Sequence, residues 1–124
     1  MTIQELYAKI GGSYDQAVRV MSKDKLIDKY IRKLKSSNVG EKLAEAGETM
    51  DAVKLFESAH AMKGVCSNLG LDALAKATDE ITEEFRAGNP RTLSDDQVRE
   101  KVSAILQRYR QTVQCIAEYE ASNS

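Results

Sequence analysis

The stretch Thr49-Met-Asp-Ala-Val-Lys-Leu-Phe-Glu-Ser-Ala-His-Ala-Met-Lys-Gly-Val-Cys-Ser-Asn68, followed by Leu69 and Gly70, carries the reading of the whole chain. At 100° per residue, Leu55, Ala59, Met62, Cys66 and Leu69 fall on one stripe, the pattern of an amphipathic helix. Thr49 is expected to cap its start, and Gly70 suits the left-handed position after its end. His60 falls on the opposite side, with Val53, Phe56, Lys63, Gly64 and Ser67 on its own stripe. The helix buries one face and turns the single histidine of the chain outward.

The same period continues on both sides. Downstream, Leu71, Leu74, Thr78, Ile81 and Phe85 predict a second helix stopping at Gly88-Asn-Pro90. Ser94-Asp-Asp-Gln97 reads as a capping box. It opens a long helix that buries Val98, Val102, Ile105, Leu106, Tyr109, Val113, Ile116 and Tyr119, before a frayed tail from Ala121 to Ser124. Upstream, Thr2-Ile-Gln-Glu5 and Ser13-Tyr-Asp-Gln16 are further capping boxes, opening two short helices separated by Gly11-Gly12. Ser22 is expected to cap a segment with Leu26, Ile27, Tyr30, Ile31 and Leu34 on one face. Residues 36–40 read as a loop, and a short helix with Leu43 ends near Gly47. The expectation is an all-α fold: an antiparallel up-down four-helix bundle, with the short extra N-terminal helices capping one end.

Composition bounds the function. The 124 residues leave room for one domain, 1–124, large enough to bury a core unaided. With 42% hydrophobic and 30% charged residues, the chain has a globular rather than a disordered balance. Eighteen basic and nineteen acidic residues give a net charge of -1, and hence no general attraction to nucleic acid or anionic lipid. No apolar run approaches the ~20 residues of a membrane span. The N-terminus lacks the basic start and apolar middle of a signal peptide, so the cytoplasm is the default expectation. Cys66 and Cys115 are far apart and sit at apolar helical positions, which predicts buried free thiols; with one histidine, no four-ligand Cys/His zinc site can be assembled.

Most catalytic patterns are missing. Gly11-Gly12 lacks the lysine and the preceding strand of a phosphate-binding loop. Acidic neighbours such as Asp79-Glu80, Glu83-Glu84 and Asp95-Asp96 point about 100° apart and read as solvated charge. What remains is His60. Lys63, at i+3, can place an ammonium near an anion on the imidazole. Gly64, at i+4, costs about 1 kcal/mol relative to alanine inside a helix, so bare backbone there needs a reason. That reason is either room for a partner to reach the ring or tight packing against a neighbouring helix. Phe56 and Val53 offer a partner apolar contact, although Phe56 also borders the core.

Ala59-His-Ala-Met-Lys-Gly64 followed by Asn68-Leu-Gly70 resembles the signature of histidine phosphotransfer (HPt) domains, Ala-His-x-Leu-Lys-Gly and then Asn-Leu-Gly. Met62 stands at the usual leucine, a swap that keeps volume. Thr82 stands where a glutamate is common. Asp51, Phe56, Leu71, Leu74, Ile81 and Arg86-Ala-Gly88-Asn89 are also similar to the family. The opening Ile3-Gln-Glu-Leu-Tyr7 and residues 14–34 resemble the N-terminal helices of its single-domain bacterial members. The resemblance implies a phosphorelay carrier, not an enzyme with its own nucleotide site. His60 would be phosphorylated, Lys63 would assist electrostatically, and Gly64 would clear the approach; Val53, Phe56 and Ser67 would meet the partner.

The implied partners are receiver domains of response regulators, with a hybrid histidine kinase as another candidate. The chain itself is expected to be monomeric and to hold no cofactor or metal, the magnesium ion belonging to the receiver. Transfer is expected at Nε2, the ring nitrogen farther from the backbone. Three other readings compete: a non-phosphorylated interaction module of the same fold, the phosphorylated domain of a chemotaxis-type kinase, and an unrelated bundle holding a small molecule in its core. This sequence has no room for the ATP-binding domain of a histidine kinase.

Overall fold

A computed structural model describes residues 1–123. They form the helices α1 (Ile3–Ile10), α2 (Tyr14–Met21), α3 (Asp24–Ser36), α4 (Val39–Thr49), α5 (Ala52–Asn68), α6 (Asp72–Glu84) and α7 (Asp95–Ser122), with no strand among the described residues. Local hydrogen bonds set the helix starts. At Thr2 and at Ser94 both halves of the capping box are made. Ser13 makes only half of one. Its hydroxyl accepts from the Gln16 amide at 3.1 Å, but its own amide donates to the Gly70 carbonyl at 2.8 Å. The missing half is exchanged for a tie between α2 and the α5–α6 turn.

Two helix starts differ from expectation. Asp51, not Thr49, caps α5 by accepting from the Lys54 amide at 3.0 Å. Thr49 closes α4, its hydroxyl donating back to the Glu45 carbonyl at 3.3 Å. Likewise Ser22 ends α2 with φ 71°, and Lys23 precedes α3 without a side-chain cap. A hydroxyl residue serves a following helix start or a preceding helix end through equally short bonds, and spacing alone does not decide which. The 36–40 loop is also shorter than expected, since Val39 and Gly40 already belong to α4. A Cβ on Gly40 would lie 2.8 Å from Cε2 of Tyr109, and one on Gly47 would lie 3.1 Å from Cγ1 of Val102. These glycines bring α4 close to α7 rather than ending a helix.

Helix α5 packs on α4 and α6, and α7 closes on both, so four helices surround a common core. With 28 residues, α7 reaches beyond this ring. Its C-terminal half is covered by α3, where Tyr119 donates to Asp28 at 2.6 Å, and by α1, where Lys9 pairs with Glu118 at 2.6 Å. The short N-terminal helices are therefore more than an end cap: α1 lies against α7, and α2 against α3 and α5. The expected tail is also altered. Helix α7 continues through Ser122, whose hydroxyl accepts from the Met1 ammonium, and Asn123 donates to the Met1 carbonyl; Ser124 lies outside the described residues.

Most of the expected core is buried. Leu26 and Tyr30 are exceptions, at 38% and 37% exposure. Val113 is half-buried, while the neighbouring Thr112 is buried and donates to the Arg108 carbonyl at 2.9 Å. Both thiols are free. Burial pushes the Cys66 thiol up to about 12, whereas Cys115 is only half-buried. Helix α6 ends at Glu84, ahead of Gly88-Asn-Pro90. Glu84 is not solvated charge. It is buried and accepts from the amides of Thr92 and Leu93 at 2.8 Å each, from the Thr92 hydroxyl at 2.7 Å and from Arg91 at 3.1 Å. This clasp folds the α6–α7 connection back onto the end of α6.

Candidate functional site

The outer face of α5 carries the site. Leu55, Ala59, Met62, Cys66 and Leu69 are all buried, and that stripe turns the His60 imidazole into solvent. One turn back, Phe56 is half-buried, and its ring stacks on His60 with centroids 5.5 Å apart and planes within 7°. Val53, a further turn towards the helix start, is 65% exposed. On the other side of His60, Gly64 is exposed, and a Cβ placed there meets nothing within 4 Å. The packing reading of Gly64 is thereby removed, because no neighbouring helix approaches it. Ser67 is half-buried near the end of the same stripe.

Helix α6 supplies the second row of side chains. The Lys63 ammonium pairs with Asp79 at 2.7 Å, so the cation one turn from His60 is already engaged by a carboxylate. Glu83 grips Arg86 through two bonds of 2.9 Å, and Asn89 donates to the Glu83 carbonyl, also at 2.9 Å. The bond from Arg86 holds the Glu83 carboxyl below its usual range. The Arg86 guanidinium in turn lies over the Phe56 ring, 5.3 Å from its centroid.

Thr82, the departure from the family pattern, is fully buried and donates to the Thr78 carbonyl at 2.8 Å. It offers the imidazole nothing. Among the described residues the His60 ring has no hydrogen-bond partner.

Helical spacing alone treats Asp79 and Glu83 as solvated charge and misses their place at the site. A signal existed for Asp79 and for Arg86, the residue that Glu83 holds. Lys63 stands eight residues before Leu71 and Asp79 eight after it; Phe56 and Arg86 stand fifteen before and fifteen after. In two helices folded back on each other across a tight turn, positions equidistant from the turn come face to face.

The Ala-His-x-x-Lys-Gly and Asn-Leu-Gly halves of the motif prove to have different surroundings. The first lies on the outer face. In the second, the Leu69 carbonyl accepts from the buried Tyr7 hydroxyl at 2.6 Å, and Gly70 takes φ +69° with no room for a side chain. A Cβ on Gly70 would lie 2.3 Å from the Ser13 carbonyl oxygen. This half fastens α1 and α2 to the end of α5.

The cavities described are surface grooves. The largest described, about 500 Å³ between α4 and α5, is lined by Lys42, Glu45, Thr49, Lys54 and Glu57 among others. Among the described residues, no cluster of three or more His, Cys, Asp or Glu side chains is placed to hold a metal ion, and no helix is long and apolar enough to cross a membrane. Comparison with curated proteins and with solved structures returned no match. Residues 29–114, well over half of the chain, match the family model described as the Hpt domain, a span that includes His60, Lys63, Gly64, Asp79 and Arg86.

Proposed function

The chain belongs to the Hpt domain family, phosphocarrier modules of two-component phosphorelays, and on that premise we propose that it carries its phosphoryl group on His60. The supporting observation is the ring itself. It is exposed on a helix whose opposite face is buried, free of hydrogen bonds among the described residues, and flanked by the bare backbone of Gly64.

A neutral imidazole is a nucleophile near neutral pH. Its Nε2 lone pair attacks the phosphorus of an aspartyl phosphate. The N–P bond forms as the P–O bond to the aspartate breaks, the carboxylate leaves, and the Nδ1 proton is free to pass to water. Return transfer runs the same steps backwards. In-line transfer of this kind depends on positioning and charge stabilisation. The partner is a receiver domain that supplies the aspartate, the magnesium ion and most of the catalytic groups; a hybrid histidine kinase carrying such a receiver fits the same surface.

Gly64 leaves clearance for the incoming active site, Val53 and Ser67 border the contact, and Lys63 adds positive charge once it is drawn from Asp79. The α4–α7 ring is read as the up-down four-helix bundle of a single domain, 1–124, acting as a cytoplasmic monomer. The test is incubation with a panel of phosphorylated receiver domains. Acid-labile label should appear on the wild type and not on His60→Gln; label retained by His60→Gln would overturn the assignment.

A further inference from the structure

An exposed histidine normally samples many ring orientations, because its χ2 torsion is broad. A protein usually selects one by hydrogen-bonding a ring nitrogen. His60 has no such bond. Thr82 is buried and turned to Thr78, and on α6 the carboxylates of Asp79 and Glu83 are engaged by Lys63 and Arg86. The contact that remains is the Phe56 ring, nearly parallel at 5.5 Å. Helical side chains lean back over the preceding turn, which carries the imidazole towards residue i−4. In a parallel stack the N–H bond and the nitrogen lone pair, which lie in the imidazole plane, point outward from the ring edge rather than into the aromatic face.

Phe56 is itself held. One side of it packs against the core cluster. The Arg86 guanidinium lies over its ring, and the two-pronged pair with Glu83 fixes that guanidinium in turn.

We propose that Phe56 is a positioning residue for phosphoryl transfer: its ring sets the plane of the His60 imidazole, a task that no hydrogen bond performs here. Phe56 then acts through His60 rather than chiefly as an apolar contact for the partner. This rests on His60 being the phosphoryl carrier. Fixing the plane before the partner arrives lowers the orientational part of the barrier without changing how tightly the partner binds.

The experiment compares Phe56→Leu and Phe56→Met, which keep apolar bulk without a flat face, with Phe56→Tyr, which keeps the face. Two quantities are read on the full chain: the NMR resonances of the His60 ring in the unphosphorylated protein, and kcat and KM for transfer from a phosphorylated receiver domain. Loss of the flat face should abolish the ring-current displacement of the His60 resonances and lower kcat about three- to tenfold with KM unchanged. Phe56→Tyr should behave as wild type in both. Unchanged His60 resonances in the Leu and Met variants, or a raised KM with kcat intact, would overturn the proposal and make Phe56 a docking contact. If instead His60→Gln still takes label, the carrier assignment fails, while the resonances continue to report whether the stack holds the ring.

Discussion

His60 and Gly64 make the sharpest tests because both are exposed and neither belongs to the core. Among the described residues His60 makes no hydrogen bond, and its ring contact is the solvent-exposed stack on Phe56, so His60→Gln should cost no more than about 1 kcal/mol while removing all acid-labile phosphorylation. Thermal unfolding followed by circular dichroism checks the first part, and label from a phosphorylated receiver the second. At Gly64 the open space around a Cβ means that alanine gains helix propensity without a clash, so Gly64→Ala should be more stable by up to about 1 kcal/mol. Gly64→Gln should also fold, yet transfer phosphate more slowly, because its side chain stands where the partner must approach. A normal transfer rate in Gly64→Gln would remove the clearance role. Gly70 behaves in the opposite way. Its positive φ and the Ser13 carbonyl 2.3 Å from a would-be Cβ predict that Gly70→Ala costs more than about 1 kcal/mol, read in the same melts.

At the scale of elements, the α5–α6 pair decides what Lys63 can do. Its ammonium is shared with Asp79, and a pair this exposed is worth at most about 1 kcal/mol, less in salt. A phosphoryl group on His60 adds nearly two negative charges and competes for the same cation. Lys63→Ala should therefore slow transfer or shorten the lifetime of phospho-His60, and Lys63→Arg should retain much of the function. Asp79→Asn should lengthen that lifetime by releasing Lys63. The decay of acid-labile label at low and high salt is the measurement; identical lifetimes for wild type, Lys63→Ala and Asp79→Asn at both salts would make the pair a bystander. The helices also show which local signals carried the prediction. Stripes of largely apolar residues, five each for α5 and α6 and eight for α7, placed these helices correctly, because burial of one face is encoded at every turn. Boundaries at Thr49 and Ser22 were misplaced, because a single hydroxyl serves either end of a helix.

Across the whole molecule, the clasp at Glu84 closes the ring by joining α6 to the start of α7. Burial alone would raise the Glu84 carboxyl, but the bonds from Leu93, Thr92 and Arg91 outweigh it and hold the group at about 2, against 4.5 for a free side chain. A depressed carboxyl stabilises the fold at pH values above its unfolded pKa and loses that contribution as pH falls from about 4.5 through about 2. Glu84→Gln should accordingly melt lower than wild type at pH 7, with the gap narrowing as the pH drops through that window. A gap that stays constant from pH 7 to pH 2 would show that the clasp depends on shape rather than charge.

The helical fold class, the buried stripe of α5 and the outward direction of His60 were legible in the residues alone, since each follows from the 3.6-residue period within one helix. The sequence also carried the motif from Ala59 to Gly70, though not the division of that motif into a surface half and a fastening half. The packing of the helices is what makes Asp79 hold Lys63, Glu83 hold Arg86 over Phe56, Gly40 and Gly47 admit α7, and Glu84 become buried. Each of these contacts depends on which helices meet and at what offset. A pattern repeated every three or four residues orients a side chain about its own axis but does not say which neighbouring helix it will face.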